Sequence, residues 1–155
     1  PKQAAKVQLG NRTLQFTLKI IKRCVALRIP VFLENPASSQ LFRVPPTLAL
    51  RRLAQDVVCD YCQFGTRWRK HTRVLAWGSC DSSPLNRCCT GRHGICSRTG
   101  CRHIVLQGCP ANSSRHWTSI AAPYPKPFAR AAARLLVHSH DNLVQTRALQ
   151  LGQGC

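Results

Sequence analysis

The sequence predicts a single α/β domain with a long irregular insert, and three observations lead to this prediction. A helical pattern directly precedes a short apolar strand near the start of the chain, as in the repeating unit of α/β folds. At 155 residues the chain can bury one hydrophobic core. The middle of the chain is rich in Gly, Pro, Ser, Asn and Cys, a composition typical of irregular structure. We therefore predict one domain over residues 1–137, an insert over 78–124 and a C-terminal tail over 138–155.

Helix and strand patterns alternate in the first half of the chain. Apolar residues recur at helical spacing over residues 12–27, and the apolar run at 30–33 predicts the first strand. The neighbouring β-branched residues Val57 and Val58 favour a second strand. The remaining predictions are a short helix over 47–54, a strand over 56–61 and a strand over 74–77.

The second half of the chain begins with the cysteine-rich insert and ends with a helix. Within residues 78–124 only the segment 103–106 has a strand-like pattern. An insert of this composition buries too little apolar surface to offset its conformational entropy, so we expect a metal ion or a partner to order it. Pro127 suits the first turn of a helix predicted over 127–138. No internal repeat is visible.

Glu34 is the only glutamate of the chain, and it closes the apolar run of the first predicted strand. In open α/β sheets, functional groups gather just past the carboxyl ends of the strands. The position of this acid therefore suggests a present or former active site. The alternative is an ordinary strand exit, with a prolyl turn after Asn35.

Three segments together resemble a known family. They are Glu34-Asn35-Pro36, the stretch 62–73 (CQFGTRWRKHTR) and the stretch 124–128 (YPKPF), which opens an alanine-rich helix. In order and spacing they resemble the C-terminal half of cytosine-C5 DNA methyltransferase-like domains, especially the divergent forms of phages and of protist retroelements. The resemblance covers residues 11–137 and implies a partial Rossmann-like methyltransferase half-domain.

The same resemblance assigns vestigial roles to three residues. Glu34 matches the glutamate that hydrogen-bonds the target cytosine, Asn35 is its neighbour in the motif, and Arg69 matches an arginine near the reacting base. The cofactor-binding glycines and the Pro-Cys catalytic loop of the family precede the Glu-Asn strand, and no Gly-x-Gly occurs before Glu34 here. We therefore expect that this chain alone neither binds S-adenosylmethionine nor methylates DNA, because it would need a missing N-terminal half.

The charge of the chain predicts a polyanionic partner. The net charge is +18, and a chain this basic is attracted to phosphate polymers. A mixture of basic and aromatic side chains suited to phosphate contact and base stacking is formed by Arg67, Trp68, Arg69, Lys70 and Arg73. We predict binding of nucleic acid or another polyanion, in the nucleus or an organelle.

Two alternatives to a polyanion-binding role stay open at this point. The basic side chains can simply be solvated, since arginine-rich composition also follows from a GC-rich gene. The chain can also be a structural subunit of a large organellar or ribonucleoprotein assembly, ordered by other protein subunits. No apolar run is long enough to predict a membrane span.

Ten cysteines require an explanation of their own. Cys59 and Cys62 have the two-residue spacing of a metal knuckle, and the insert offers further thiols, so we predict a zinc site formed by Cys59, Cys62, Cys80 and Cys88. The insert also supplies two histidines near these thiols, His93 and His103. Disulfides in an oxidising compartment and free buried thiols in a reducing one are the alternatives.

Overall fold

The structure is a computed structural model that describes the backbone of residues 2–78 and 81–152, and the side-chain burial of residues 3–78, 81–142, 144 and 145. The described helices are α1 (Lys2–Ala26), α2 (Pro45–Arg51), α3 (Trp117–Ile120) and α4 (Lys126–Gly152). The described strands are β1 (Val31–Pro36), β2 (Gln55–Asp60) and β3 (His71–Trp77). None of the described helices is long and apolar enough to cross a membrane.

The three strands form one antiparallel sheet with β3 in the centre, in the order β1-β3-β2. Leu33 of β1 pairs with Leu75 of β3, and Val57 of β2 pairs with Val74 of β3. Successive residues of a strand point to opposite faces of the sheet, so Val74 and Leu75 contribute to two different cores.

Helices cover both faces of this sheet. One core joins α1, α2 and the sheet, and it contains Leu18, Ile21, Leu33, Phe42, Leu50, Leu75 and Trp77. The other core includes the start of α4 and contains Val57, Cys59, Tyr61, Phe64, Val74, Leu85 and Phe128. The central strand is buried between them, and its Val74, Leu75 and Trp77 are each at most 2% exposed.

The helix α1 is longer than its apolar pattern predicts. Leu18 and Ile21 pack on the sheet, as their spacing indicates, but the helix begins at Lys2. Its N-terminal part extends past the sheet, so that Leu9 is 66% exposed. The helix ends at Ala26 and is followed by Arg28 with a positive φ of 56°, while the amide of Ile29 donates to the carbonyl of Cys24 at 2.8 Å.

The mixed α/β class is as predicted, but the sheet differs from the expected Rossmann-like arrangement. Rossmann sheets are built mainly from parallel strands joined by crossover helices. Both pairings of the described strands are antiparallel, so no Rossmann fold is seen in the described residues. Because β1 continues to Pro36, Glu34 lies within the strand and pairs with Val74, and it does not follow the strand end.

The insert has little regular structure, as its composition predicts. Between residues 86 and 116, all of which the structure describes, there is no helix or strand beyond one isolated bridge from Ile95 to Arg102. The strand-like segment 103–106 forms no strand. The helix predicted over 127–138 continues to Gly152 as α4, which includes most of the residues predicted as a tail.

Candidate metal centre

Four side chains with metal-binding atoms meet just beyond the end of β2. Cys62, Cys89, Cys96 and His103 each offer one ligand atom, and these atoms all lie within 4.8 Å of one another. As whole residues, Cys62, Cys89 and Cys96 are 0%, 5% and 3% exposed, and they form a buried cluster of their own apart from both sheet cores. His103 is half-buried. This group could hold a metal ion.

The end of β2 positions both Cys62 and Cys89. Cys62 lies in a 3₁₀ turn, Tyr61–Phe64, that directly follows β2 and ends at Gly65 with a φ of 101°. Cys89 comes from the insert, and its amide donates to the buried Asp60 Oδ2 at 2.7 Å. Arg98 ties the far side of the insert to the same turn, because its Nε donates to the Cys62 carbonyl at 2.6 Å.

A compact loop brings Cys96 and His103 together. The amide of Cys96 donates to the carbonyl of Cys101 at 2.8 Å, and the amide of His103 donates to the carbonyl of Gly94 at the same distance. Gly91 permits this path, since a Cβ at that position would collide with the carbonyl oxygen of Ile95. The loop is therefore closed by its own backbone around the two ligands.

Hydrogen-bond donors surround the sulfur atoms. The amide and the hydroxyl of Ser97 lie 3.3 and 3.5 Å from Cys89 Sγ, and Gln63 Nε2 lies 3.6 Å from Cys62 Sγ. His103 Nε2 is 3.8 Å from Cys89 Sγ. Donors of this kind stabilise thiolates and orient the ligands of metal sites.

The protein environment acts in opposite directions on two of these thiols. Burial raises the pKa of Cys62 to about 12, against a smaller opposing effect of the Gln63 amide. Burial also opposes ionisation of Cys89, but hydrogen bonds from Ser97 and from the Gly91 amide outweigh it and lower the pKa of Cys89 to about 6. The pKa of Cys96 is lowered as well, because backbone amides of Arg98 and Thr99 overcome the effect of burial.

The donor set has a clear chemical preference. Three thiols and one imidazole are the ligands of closed, four-coordinate structural metal sites, whereas Mg²⁺ and Ca²⁺ take oxygen ligands. Metal–sulfur and metal–nitrogen bonds of ~2.0–2.3 Å place tetrahedral ligand atoms roughly 3.5–4 Å from one another. The distance of 3.8 Å between Cys89 Sγ and His103 Nε2 fits this spacing.

Of the four thiols that the sequence singled out, the structure places only Cys62 in this group. Cys59 is buried among the apolar side chains of the sheet, where burial and the nearby Asp60 charge raise its pKa to about 12. Cys88 is exposed, and its thiol points to the carbonyl of Val58 at 3.3 Å. Cys80 lies outside the described residues.

Cys89, Cys96 and His103 are among the cysteines and histidines that the insert offers, but the predicted zinc site did not include them. Cys89, Cys96 and His103 are spaced seven residues apart, and this regular spacing was the signal that could have identified them. It is weaker than a Cys-x-x-Cys knuckle, because seven residues span a loop whose path the sequence does not determine.

Asp60 connects the sheet to this centre. It is completely buried, and its Oδ1 lies 3.0 Å from Arg69 Nε and 2.9 Å from His71 Nδ1. Burial alone would raise the pKa of Asp60, but the hydrogen bonds of Arg69, the Cys89 amide and His71 lower it overall. Arg69 therefore pairs with Asp60, whereas the family resemblance assigned it a place near the reacting base.

Glu34 faces the opposite, α4 side of the sheet. Tyr61 donates to its Oε1 at 3.1 Å and Tyr124 donates to its Oε2 at 2.9 Å. It lines a largely apolar cavity of about 330 Å³ together with Phe32, Phe128 and small residues of α4. Burial and the carboxylate raise the pKa of both tyrosines. Its neighbour Asn35 pairs with Arg73 in the sheet register.

The two tyrosines should differ in their contribution to stability. Tyr61 is 0% exposed and Tyr124 is 52% exposed. Water can therefore replace the hydroxyl of Tyr124, but not that of Tyr61, as a donor to Glu34. We expect Tyr61→Phe to lower the free energy of unfolding by about 2 kcal/mol and Tyr124→Phe by less than about 0.5 kcal/mol. Urea denaturation of both variants measures this, and equal losses would contradict the assigned hydrogen bonds.

The basic segment predicted to contact nucleic acid is partly used inside the protein. Arg73 lies within β3, where its Nε is 3.0 Å from Asp56 Oδ1 without the alignment of a hydrogen bond. Lys70 Nζ lies 5.0 Å from the ring centre of Tyr61. The indole nitrogen of the half-buried Trp68 has no hydrogen-bond partner among the described residues. Arg67 is exposed.

Arg67 belongs to a basic pocket beside the metal-binding group. The pocket has a volume of about 140 Å³, and its lining consists of three arginines, two threonines, two cysteines and a histidine: Arg67, Arg98, Arg102, Thr66, Thr99, Cys96, Cys101 and His103. None of these three exposed arginines pairs with a carboxylate of the described residues. We call this pocket the centre-side pocket.

The chain matches no known protein-family profile, and it shows no significant similarity to a curated protein or to a solved structure. The residues themselves therefore carry the functional interpretation.

Proposed function

We propose that this chain is a zinc-organised, basic module that binds the backbone of a nucleic acid. The observation that carries the proposal is the contact between the Cys62, Cys89, Cys96 and His103 group and the centre-side pocket. The metal would order the insert, and the ordered insert would present its arginines to phosphate. Zinc is the metal that this donor set and a structural role favour.

Electrostatics explain why the arginines can gather there. Three thiolates and one zinc ion leave one net negative charge at the centre, which attracts the neighbouring guanidinium groups. Arg98 already hydrogen-bonds the backbone of the turn that carries Cys62. The arginines keep further donors directed to solvent, because guanidinium groups have five N–H donors and bind phosphate well.

The distribution of charge supports nucleic acid as the partner. The chain has 23 Lys and Arg against 5 Asp and Glu, and the two carboxylates Asp56 and Asp60 are already paired with arginines. The resemblance of the Glu34 and 62–73 segments to cytosine methyltransferase-like domains points in the same direction. We propose a binding role for this chain.

The salt dependence of binding tests this proposal. The logarithm of affinity for an oligonucleotide should fall linearly with the logarithm of salt concentration, with a slope of ~0.7–0.9 per phosphate contact. We expect Arg67→Gln with Arg102→Gln to reduce the slope by about 1.4–1.8. Fluorescence anisotropy with a single-stranded and a double-stranded oligonucleotide measures the slope.

The matched control removes the same charge elsewhere. Arg12 and Arg23 are exposed on α1, and Arg12→Gln with Arg23→Gln should leave the slope within about 0.3 of the parent value. If both double variants reduce the slope equally, the attraction is a property of net charge alone and the proposed pocket has no role.

A second candidate function is a subunit role in a larger assembly. The free side of α1 favours it, because Leu9, Phe16 and Ile20 share the side of the helix opposite to the core and are 66%, 66% and 46% exposed. Exposed apolar side chains in such a row are typical of surfaces that another protein covers. If the chain binds an oligonucleotide but Arg67→Gln with Arg102→Gln leaves the salt slope unchanged, the result would favour this candidate.

A further inference from the structure

A second arginine-lined pocket includes Phe64 of the turn that carries Cys62. It has a volume of about 280 Å³ and is lined by Phe64, Arg87, Pro127, Arg130, Ala131 and Arg134. Its three arginines are exposed and come from two separate parts of the chain. We call it the helix-side pocket.

Packing of the surrounding elements positions these arginines. Arg130 and Arg134 are one turn apart on α4, which is anchored by the buried Phe128. The ring of Phe128 lies 5.1 Å from that of Tyr61 and 5.3 Å from that of Phe64, measured between ring centres. The start of α4 is therefore held against the sheet.

Arg87 is held from the opposite side. Its carbonyl accepts a hydrogen bond from the amide of Asp60 at 2.9 Å, and its Nε donates to the carbonyl of Pro84 at 3.1 Å. Its guanidinium carbon lies 5.4 Å from the ring centre of Phe64. Arg87 is therefore held at its backbone, at its Nε and at its guanidinium group, and it lines the pocket.

This arrangement gathers positive charge without compensation. No carboxylate among the described residues forms an ion pair with Arg87, Arg130 or Arg134. Like charges one turn apart on a helix repel each other, and a third charge on the facing loop adds to the repulsion. An anion in the pocket would remove this cost, and guanidinium groups converging from two directions match the several oxygen acceptors of a phosphate group.

We infer that the helix-side pocket binds a phosphate group, and that this phosphate belongs to the same nucleic-acid strand that contacts the centre-side pocket. The second part rests on the proposed function. Phe64 lines the helix-side pocket, and Thr66 and Arg67 line the centre-side pocket. Residues on either side of Gly65 thus line the two pockets, so a flexible phosphate backbone that passes this turn can engage both.

The experiment uses the zinc-loaded full chain and two probes, inorganic phosphate and a single-stranded oligonucleotide. NMR signals of the arginine Nε–Hε groups report binding at each pocket separately. At constant ionic strength, inorganic phosphate should shift the signals of Arg87, Arg130 and Arg134, and chloride should not. Shifts spread equally over arginines of α1 would overturn the assignment of a phosphate site.

Variants then separate this inference from the proposed function. Arg130→Gln with Arg134→Gln should abolish the phosphate-induced shift of Arg87 and reduce the salt slope of oligonucleotide binding by about 1.4–1.8. Lys19→Gln with Arg23→Gln is the matched control, because these exposed residues have the same four-residue spacing on α1. This control should change neither quantity.

The outcomes are distinguishable. If the slope falls for Arg67→Gln with Arg102→Gln but not for Arg130→Gln with Arg134→Gln, the proposed function stands and the shared strand is overturned. If phosphate shifts Arg87 while the oligonucleotide does not, the pocket takes free phosphate, and the nucleic-acid source is excluded. If neither probe shifts the three arginines, the phosphate site itself is excluded.

Discussion

Replacing Cys89 with serine should abolish tight zinc binding and leave residues 86–116 without a fixed structure. Cys89 is a buried member of the candidate metal centre, and the segment around it has no helix or strand of its own. Binding of structural zinc contributes roughly 10–16 kcal/mol to the folding free energy of small zinc domains, far more than any single hydrogen bond does. We expect hydrogen exchange in residues 86–116 to accelerate strongly while the amides of β3 stay protected.

Cys88 provides the matched control for this prediction. It is adjacent to Cys89 but exposed, and it lies outside the metal-binding group. Cys88→Ser should retain about one zinc per chain by elemental analysis, with unchanged hydrogen exchange. Loss of zinc in Cys88→Ser with retention in Cys89→Ser would contradict the assignment.

Replacing Asp60 with alanine should lower the free energy of unfolding by about 3 kcal/mol at pH 7, since it removes charge-assisted hydrogen bonds and leaves the buried amide of Cys89 without an acceptor. The matched control is Asp56→Ala on the same strand. Asp56 is solvent-exposed and its ion pairs with Arg51 and Arg73 are near the surface, so we expect a loss below about 1 kcal/mol. Urea denaturation of the zinc-loaded proteins measures both losses.

The contribution of Asp60 to the free energy of unfolding should depend on pH. Its pKa is lowered in the folded protein, so the folded state holds the ionised form more strongly than the unfolded chain does. The stabilisation is present above the unfolded pKa of roughly 4 and disappears as the pH falls through the folded pKa. The difference between the parent and Asp60→Ala should therefore narrow below about pH 4, and a difference that widens there would contradict the prediction.

Asp60→Ala should also lower the affinity of the candidate centre for zinc. Asp60 accepts the hydrogen bond of the Cys89 amide and so fixes the position of a candidate ligand without being one itself. Removing such a group usually costs a factor of about 10–100 in metal affinity. A competition titration with a chromophoric chelator measures the affinity, and an unchanged value would show that Cys89 is held without Asp60.

The helices and strands were largely predictable because their patterns are local. Leu18 and Ile21 have helical spacing and pack on the sheet, and Val57 lies in a strand as its branched side chain indicates. The residues at which helices and strands end were less predictable. β1 continues through Glu34 to Pro36 because β3 provides pairing partners for these residues, and this long-range pairing has no local signature.

The direction of the strands could not be read from the sequence either. An apolar run followed by an acid suits parallel and antiparallel sheets alike, and the family resemblance favoured the Rossmann arrangement. In the structure β3 lies between β1 and β2 and is antiparallel to both. The acid therefore lies within a strand, hydrogen-bonded to Tyr61 and Tyr124.

The members of the candidate metal centre were only partly predictable from the sequence. Cys62 was identified from its spacing to Cys59, but in a strand followed by a turn these two thiols reach different environments. The choice of Cys89 over its neighbour Cys88 depends on the hydrogen bond from the Cys89 amide to Asp60, which joins residues far apart in the chain. Loop paths of this kind are determined by tertiary contacts and not by spacing.

The central claim is that Cys62, Cys89, Cys96 and His103 bind one zinc ion. X-ray absorption spectroscopy at the zinc edge tests it most directly, because it reports the type and number of ligand atoms. The predicted result for the zinc-loaded protein is a shell of about three sulfur atoms at ~2.3 Å and about one nitrogen at ~2.0 Å. A shell of four sulfur atoms, which would exchange His103 for another thiol, or a shell of oxygen and nitrogen alone would contradict the claim.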